Sequence, residues 1–68
     1  MTLKELRESK LMTQFELAQA TGVQQVTVST WERGERRPQF AQMRRLADVF
    51  GLSPQEITEV IEDTMTKK

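Results

Sequence analysis

Apolar residues recur at helical spacing in five short stretches of this chain, and most of the stretches are bracketed by start and stop signals. Thr2-Leu-Lys-Glu5 has the form of a capping box, and the helix it opens should end near Ser9. Thr13-Gln-Phe-Glu16 is a second capping box; its helix carries Phe15, Leu17, Ala18 and Thr21 and stops at Gly22. A third helix is expected from about Gln24 to Arg33, before Gly34, which can take a left-handed conformation. Pro38 ends the loop that follows. Met43, Leu46, Ala47 and Phe50 set the period of a fourth helix, roughly Phe40 to Phe50, stopped by Gly51. Ser53-Pro-Gln-Glu56 is a third capping box, with Pro54 at the favoured first position. The fifth helix carries Ile57, Val60 and Ile61 and should fray after about Thr64. The alternation in Val26-Thr-Val28 would suit a strand, but its length and the flanking helix signals argue against one. The fold class expected is all-α, with one domain over residues 1–64 and a disordered tail over 65–68.

Sixty-eight residues allow one small core, so stability should be marginal and dimerisation would help. There is no cysteine and no histidine, which excludes disulfides and the common zinc sites. No catalytic constellation stands out, so an enzyme is not expected, and neither is a cofactor, a metal or a small-molecule ligand. No apolar run approaches the ~20 residues that span a bilayer, and the N-terminus lacks a signal-peptide core. A cytoplasmic location fits these features.

Ten Lys and Arg balance ten Asp and Glu, and the sum hides an uneven distribution. Residues 1–52 carry a net +2 and residues 53–68 a net −2. Arg33, Arg36, Arg37, Arg44 and Arg45 make a local basic strip, opposed by Glu32 and Glu35. Such a strip also suits an ordinary solvated loop.

The third helix changes the picture. At about 100° per residue, Gln25, Val26, Ser29, Thr30 and Arg33 share one side, and Thr27, Val28 and Trp31 share the other. The second group is the natural core face. The first should be exposed, yet apart from Arg33 it is uncharged. Gln pairs bidentately with adenine, Ser and Thr bond either base type, and Val touches a thymine methyl. The same residues would also make a plain polar face with one exposed Val.

The chain resembles the Cro/repressor (Xre-type) helix-turn-helix family at Thr13-Gln14, Leu17-Ala18, Gly22-Val23, Val28-Ser29, Trp31-Glu32, Gly34, Pro38 and the run Leu46 to Ser53. The resemblance covers about residues 2–62. It implies a five-helix, lambda-repressor-like DNA-binding domain whose second and third helices form the helix-turn-helix. The third helix would lie in the major groove of double-stranded DNA. Gln25, Val26 and Thr30 match the family's main base readers, with Gln24 and Ser29 at the margin. Thr13 and Gln14, at the start of the second helix, match a phosphate contact. Arg36, Arg37, Gln39 and Phe40 match a second backbone clamp, and Arg33 could reach a phosphate or a flanking base. Arg7 and Glu32 match an ion pair that ties the first helix to the third.

Two positions and the overall charge depart from the family pattern. Leu11 stands where Gly commonly ends the first helix, so that turn is expected to differ. Gln24 replaces the usual Ser or Thr cap. Overall neutrality implies a shallow salt dependence. The expected activity is transcriptional regulation, by default repression from a two-fold operator bound as a homodimer. With no room for a sensor domain, control would come from concentration, competition or a regulatory protein partner. Small members of the family serve as phage or plasmid repressors, restriction-modification controllers and antitoxins. Leu52, Ile57, Val60 and Ile61 are candidates for the dimer interface, or they close the core. The alternative function is an antitoxin-like or adaptor module that binds protein, with Glu56, Glu59, Glu62 and Asp63 meeting a basic partner. The outer face of the third helix discriminates, because an adaptor has no need of Gln25 and Thr30.

Overall fold

A computed structural model describes residues 1–66, which form five helices: α1 (Leu3–Ser9), α2 (Gln14–Thr21), α3 (Gln25–Glu32), α4 (Phe40–Phe50) and α5 (Pro54–Thr66). All three capping boxes form. The Thr2 and Thr13 hydroxyls accept from the amides of Glu5 and Glu16, whose carboxylates accept in return from the cap amides. Ser53 and Glu56 do the same for α5. At α4 the Gln42 side chain accepts from the Gln39 amide at 2.9 Å. No side chain caps α3 at Gln24.

The buried apolar set is Leu3 and Leu6 from α1, Leu17 and Ala18 from α2, Val28 and Trp31 from α3, four residues of α4, and Ile57, Val60 and Ile61 of α5. α2 packs on α3 and α4, and α1 on α3 and α5, so α3 is held from two sides. Phe15, grouped with Leu17 and Ala18 by sequence, lies exposed. Two positions along a helix is a turn of about 200°, which puts Phe15 opposite Leu17.

One expectation about the C-terminal part is corrected. α5 does not fray after Thr64 but continues through Thr66, and half-buried Met65 packs against the core. Residues 65 and 66 are therefore helical, whereas the rest of the expected tail, Lys67 and Lys68, lies outside the described residues. The end of α5 has support from α1. Thr64 is buried, its hydroxyl donates to the Val60 carbonyl at 2.8 Å, and it accepts from the Leu3 amide at 2.8 Å. The N-terminal amine also pairs with Asp63 at 2.7 Å. Three of the four dimer candidates, Ile57, Val60 and Ile61, are buried within the single chain and help close its core, the other role their sequence left open. Of the four candidates only Leu52 retains partial exposure.

Two backbone positions shape the connections. Leu11 does adopt the left-handed region, at φ 56°, so the turn keeps the geometry that glycine would favour and holds it with a leucine that is 92% exposed. Gly34, at φ 75°, passes so close to α5 that an added Cβ would lie 2.9 Å from the Thr64 carbonyl oxygen. The loop after α3 is thereby seated on the last turn of α5.

Candidate DNA interface

The α2–α3 corner is built from short local bonds. Gly22, at φ 76°, reverses the chain, and the Val23 amide donates to the Ala18 carbonyl at 3.0 Å. The buried Thr21 hydroxyl donates to the Leu17 carbonyl at 2.8 Å. Arg45 reaches from α4 and donates to the Thr21 carbonyl at 3.1 Å, where a cation favours the helix C-terminus. Arg45 therefore leaves the basic strip to which its sequence position assigned it.

With Val28 and Trp31 turned into the core, α3 presents Gln24, Gln25 and Val26 to solvent; Val26 is 61% exposed. Neither glutamine has a side-chain hydrogen-bond partner among the described residues, so both amides are available. Ser29 and Thr30 are half-buried. The Thr30 hydroxyl donates to the Val26 carbonyl at 2.8 Å, which leaves it an acceptor toward any base. The Ser29 hydroxyl accepts from Arg33. Thr27, placed on the core face by the helical wheel, is only half-buried.

This face is fixed to the body by the Arg7–Glu32 pair. Arg7 donates through Nε at 2.6 Å and through a terminal nitrogen at 3.1 Å to the two carboxylate oxygens. Its other terminal nitrogen donates to the Met12 carbonyl at 2.7 Å. The two side chains are only 10% and 5% exposed. The hydrogen bond to Glu32 raises the Arg7 pKa above its ordinary value, against the opposing effect of burial. Gln14 Nε2 also donates to Glu32, at 3.0 Å. The Gln14 side chain thus braces α3. The Thr13 amide is bonded to Glu16, and Thr13 Oγ1 accepts from the Glu16 amide. The amides of Gln14 and Phe15 remain as open donors of the first turn.

The second cluster of expected backbone contacts divides into held and free groups. Arg33 donates to both oxygens of Glu35, at 2.9 and 3.2 Å, and to Ser29. That pairing lowers the Glu35 pKa, chiefly through the hydrogen bond from Arg33. Arg37 pairs with Glu62 of α5 at 2.6 Å. Arg36 is exposed and makes no ion pair among the described residues. Phe40, at the start of α4, is 82% exposed and lines a groove together with Arg37, Met43, Arg44, Pro54, Ile57 and Thr58. Sequence reasoning missed Glu35 and Glu62 as partners of these arginines, and missed Arg45 and Thr64 as braces. Only the spacing of Arg33 and Glu35 offered a signal.

A helix-turn-helix family model matches residues 3–57, spanning α1 to the first turn of α5. The chain belongs to the Cro/C1-type helix-turn-helix family. Its five helices are the all-α, lambda-repressor-like arrangement of that family, and it is a DNA-binding regulator of the helix-turn-helix class. No curated protein and no solved structure gave a significant match to the chain. Within the Cro/C1-type frame, α2 and α3 are the helix-turn-helix motif. Among the described residues, no helix is long and apolar enough to cross a membrane.

Proposed function

We propose that the protein is a sequence-specific repressor that binds a two-fold operator in double-stranded DNA as a homodimer, with α3 in the major groove. The observation that carries this reading is the outer face of α3, which exposes Gln24, Gln25 and Val26 with no charge and no internal partner for either amide. Gln25 and Val26, with Thr30 as an acceptor beside them, read base edges, and Gln24 and Ser29 contribute at the margin. The amides of Gln14 and Phe15 meet one phosphate at the N-terminus of α2. Thr13, Gln14, Arg33, Arg36, Arg37, Gln39 and Phe40 line the backbone on either side of the groove, and these contacts position the protein without specifying sequence. Two copies set about one helical turn apart would occlude a promoter.

Selection of bound fragments from a random duplex library with purified protein, followed by footprinting, tests this reading. A palindromic site with two protected half-sites is the expected result. Selection that yields no sequence preference would overturn base reading by α3. A single protected half-site with one bound chain would overturn the dimer.

A further inference from the structure

Three carboxylates occupy side chains that are candidates for contact with the DNA backbone: Glu32 on Gln14, Glu35 on Arg33 and Glu62 on Arg37. They differ in what can displace them. Glu32 is buried and bound to Arg7, so its position is structural. The other two pairs lie open to solvent; the Arg37 and Glu62 side chains are 43% and 52% exposed. Glu62 comes from a helix 25 residues further along the chain, so its pairing with Arg37 is a product of the fold and not of local sequence.

We propose that Glu35 and Glu62 are intramolecular competitors for the phosphate-binding arginines, and that they tune the affinity of this protein for all DNA downward. The inference rests on the DNA-binding reading above and adds a role for two acidic residues that touch no base. A guanidinium that meets a phosphate must first leave its carboxylate, and the released carboxylate then stands near the DNA backbone as a like charge. Exposed ion pairs are weak, so the exchange occurs readily and shifts affinity by about two- to five-fold per pair. An arginine that arrives already neutralised also releases fewer counterions from DNA, which flattens the salt dependence. A chain with zero net charge thereby holds non-specific binding low while the α3 face keeps its discrimination.

The test compares Glu62→Gln, Glu35→Gln and a control, Glu59→Gln, on a duplex of random sequence over a series of KCl concentrations. Glu59 is also exposed on α5, but no arginine pairs with it among the described residues. Thermal melting of each variant reports folding separately. The expected result is a two- to five-fold gain in affinity for Glu62→Gln and for Glu35→Gln, with a log–log salt slope steeper by up to about one. The gain from Glu62→Gln should vanish in the Arg37→Ala background, because the competitor then has nothing to hold. A gain no larger than that of Glu59→Gln, or one that survives in Arg37→Ala, would overturn the proposal. Failure of the wild-type chain to retard any duplex at low salt would instead overturn the DNA-binding reading, and the inference with it.

Discussion

Replacing Arg7 with Met should strongly destabilise this protein, although the change is conservative in volume and lies on α1, outside the helix-turn-helix. Arg7 makes two hydrogen bonds to Glu32 and one to the Met12 carbonyl, in a site where the Glu32 side chain is 5% exposed. Methionine fills much of the space but strands the carboxylate, which keeps only the bond from Gln14. Removing one partner of a buried pair costs about 3–5 kcal/mol, most of it from the charge left behind. A chain of this length has roughly 3–10 kcal/mol of stability in total. Each kcal/mol shifts the midpoint of a domain this size by about 4–8 °C, so Tm should fall by about 12 °C or more. Urea unfolding followed by far-UV circular dichroism measures the loss directly. The double variant Arg7→Met/Glu32→Met separates charge from packing, since replacing both partners of a buried pair by apolar groups is often near neutral. It should recover much of what the single variant loses. A loss below about 1 kcal/mol in Arg7→Met would refute the reasoning and place the pair among weak surface contacts.

Other outcomes follow from single positions. Leu11→Asn should stabilise the chain by about 1 kcal/mol in the same urea assay, because Asn tolerates the left-handed region and the exposed leucine gives up little burial. Thr64→Val keeps the shape but leaves the Leu3 amide without its acceptor, for a loss of about 1–3 kcal/mol. Gln25→Ala should relax preference at one base pair of the selected operator by about 1–3 kcal/mol, whereas Arg36→Ala should weaken all sequences alike and reduce the salt slope; identical profiles would refute the division between reading and positioning. The Glu35 carboxyl should titrate below the ordinary glutamate range by carbon-detected NMR, because Arg33 donates to it, and should move back up in Arg33→Ala. Its pKa is depressed by folding, so the contribution of the Arg33–Glu35 pair is present above the ordinary carboxylate range and is lost as pH falls through the depressed value.

The helices were legible because their signals are local. Thr2 with Glu5, Thr13 with Glu16 and Ser53 with Glu56 lie within one turn of each other, and the glycines that end α2 and α4 act on their own backbone. The two faces of α3 follow from its period alone, which is why Val28 and Trp31 could be assigned to the core and Gln25 and Val26 to the surface. The Arg7–Glu32 pair came from family resemblance, since nothing local links residues so far apart. What sequence order could not settle is how side chains from different helices share space. Only the packed structure shows that Ile57, Val60 and Ile61 are consumed by the core of one chain, that α5 gains its last turn from Thr64 against Leu3, and that Arg45 reaches across to the C-terminus of α2. The basic strip is the sharpest case. Its letters count five arginines, but charge acts through distance, and distance is set by the fold. α5 lays Glu62 against Arg37, the loop folds Glu35 onto Arg33, and Arg36 is left with no ion-pair partner among the described residues.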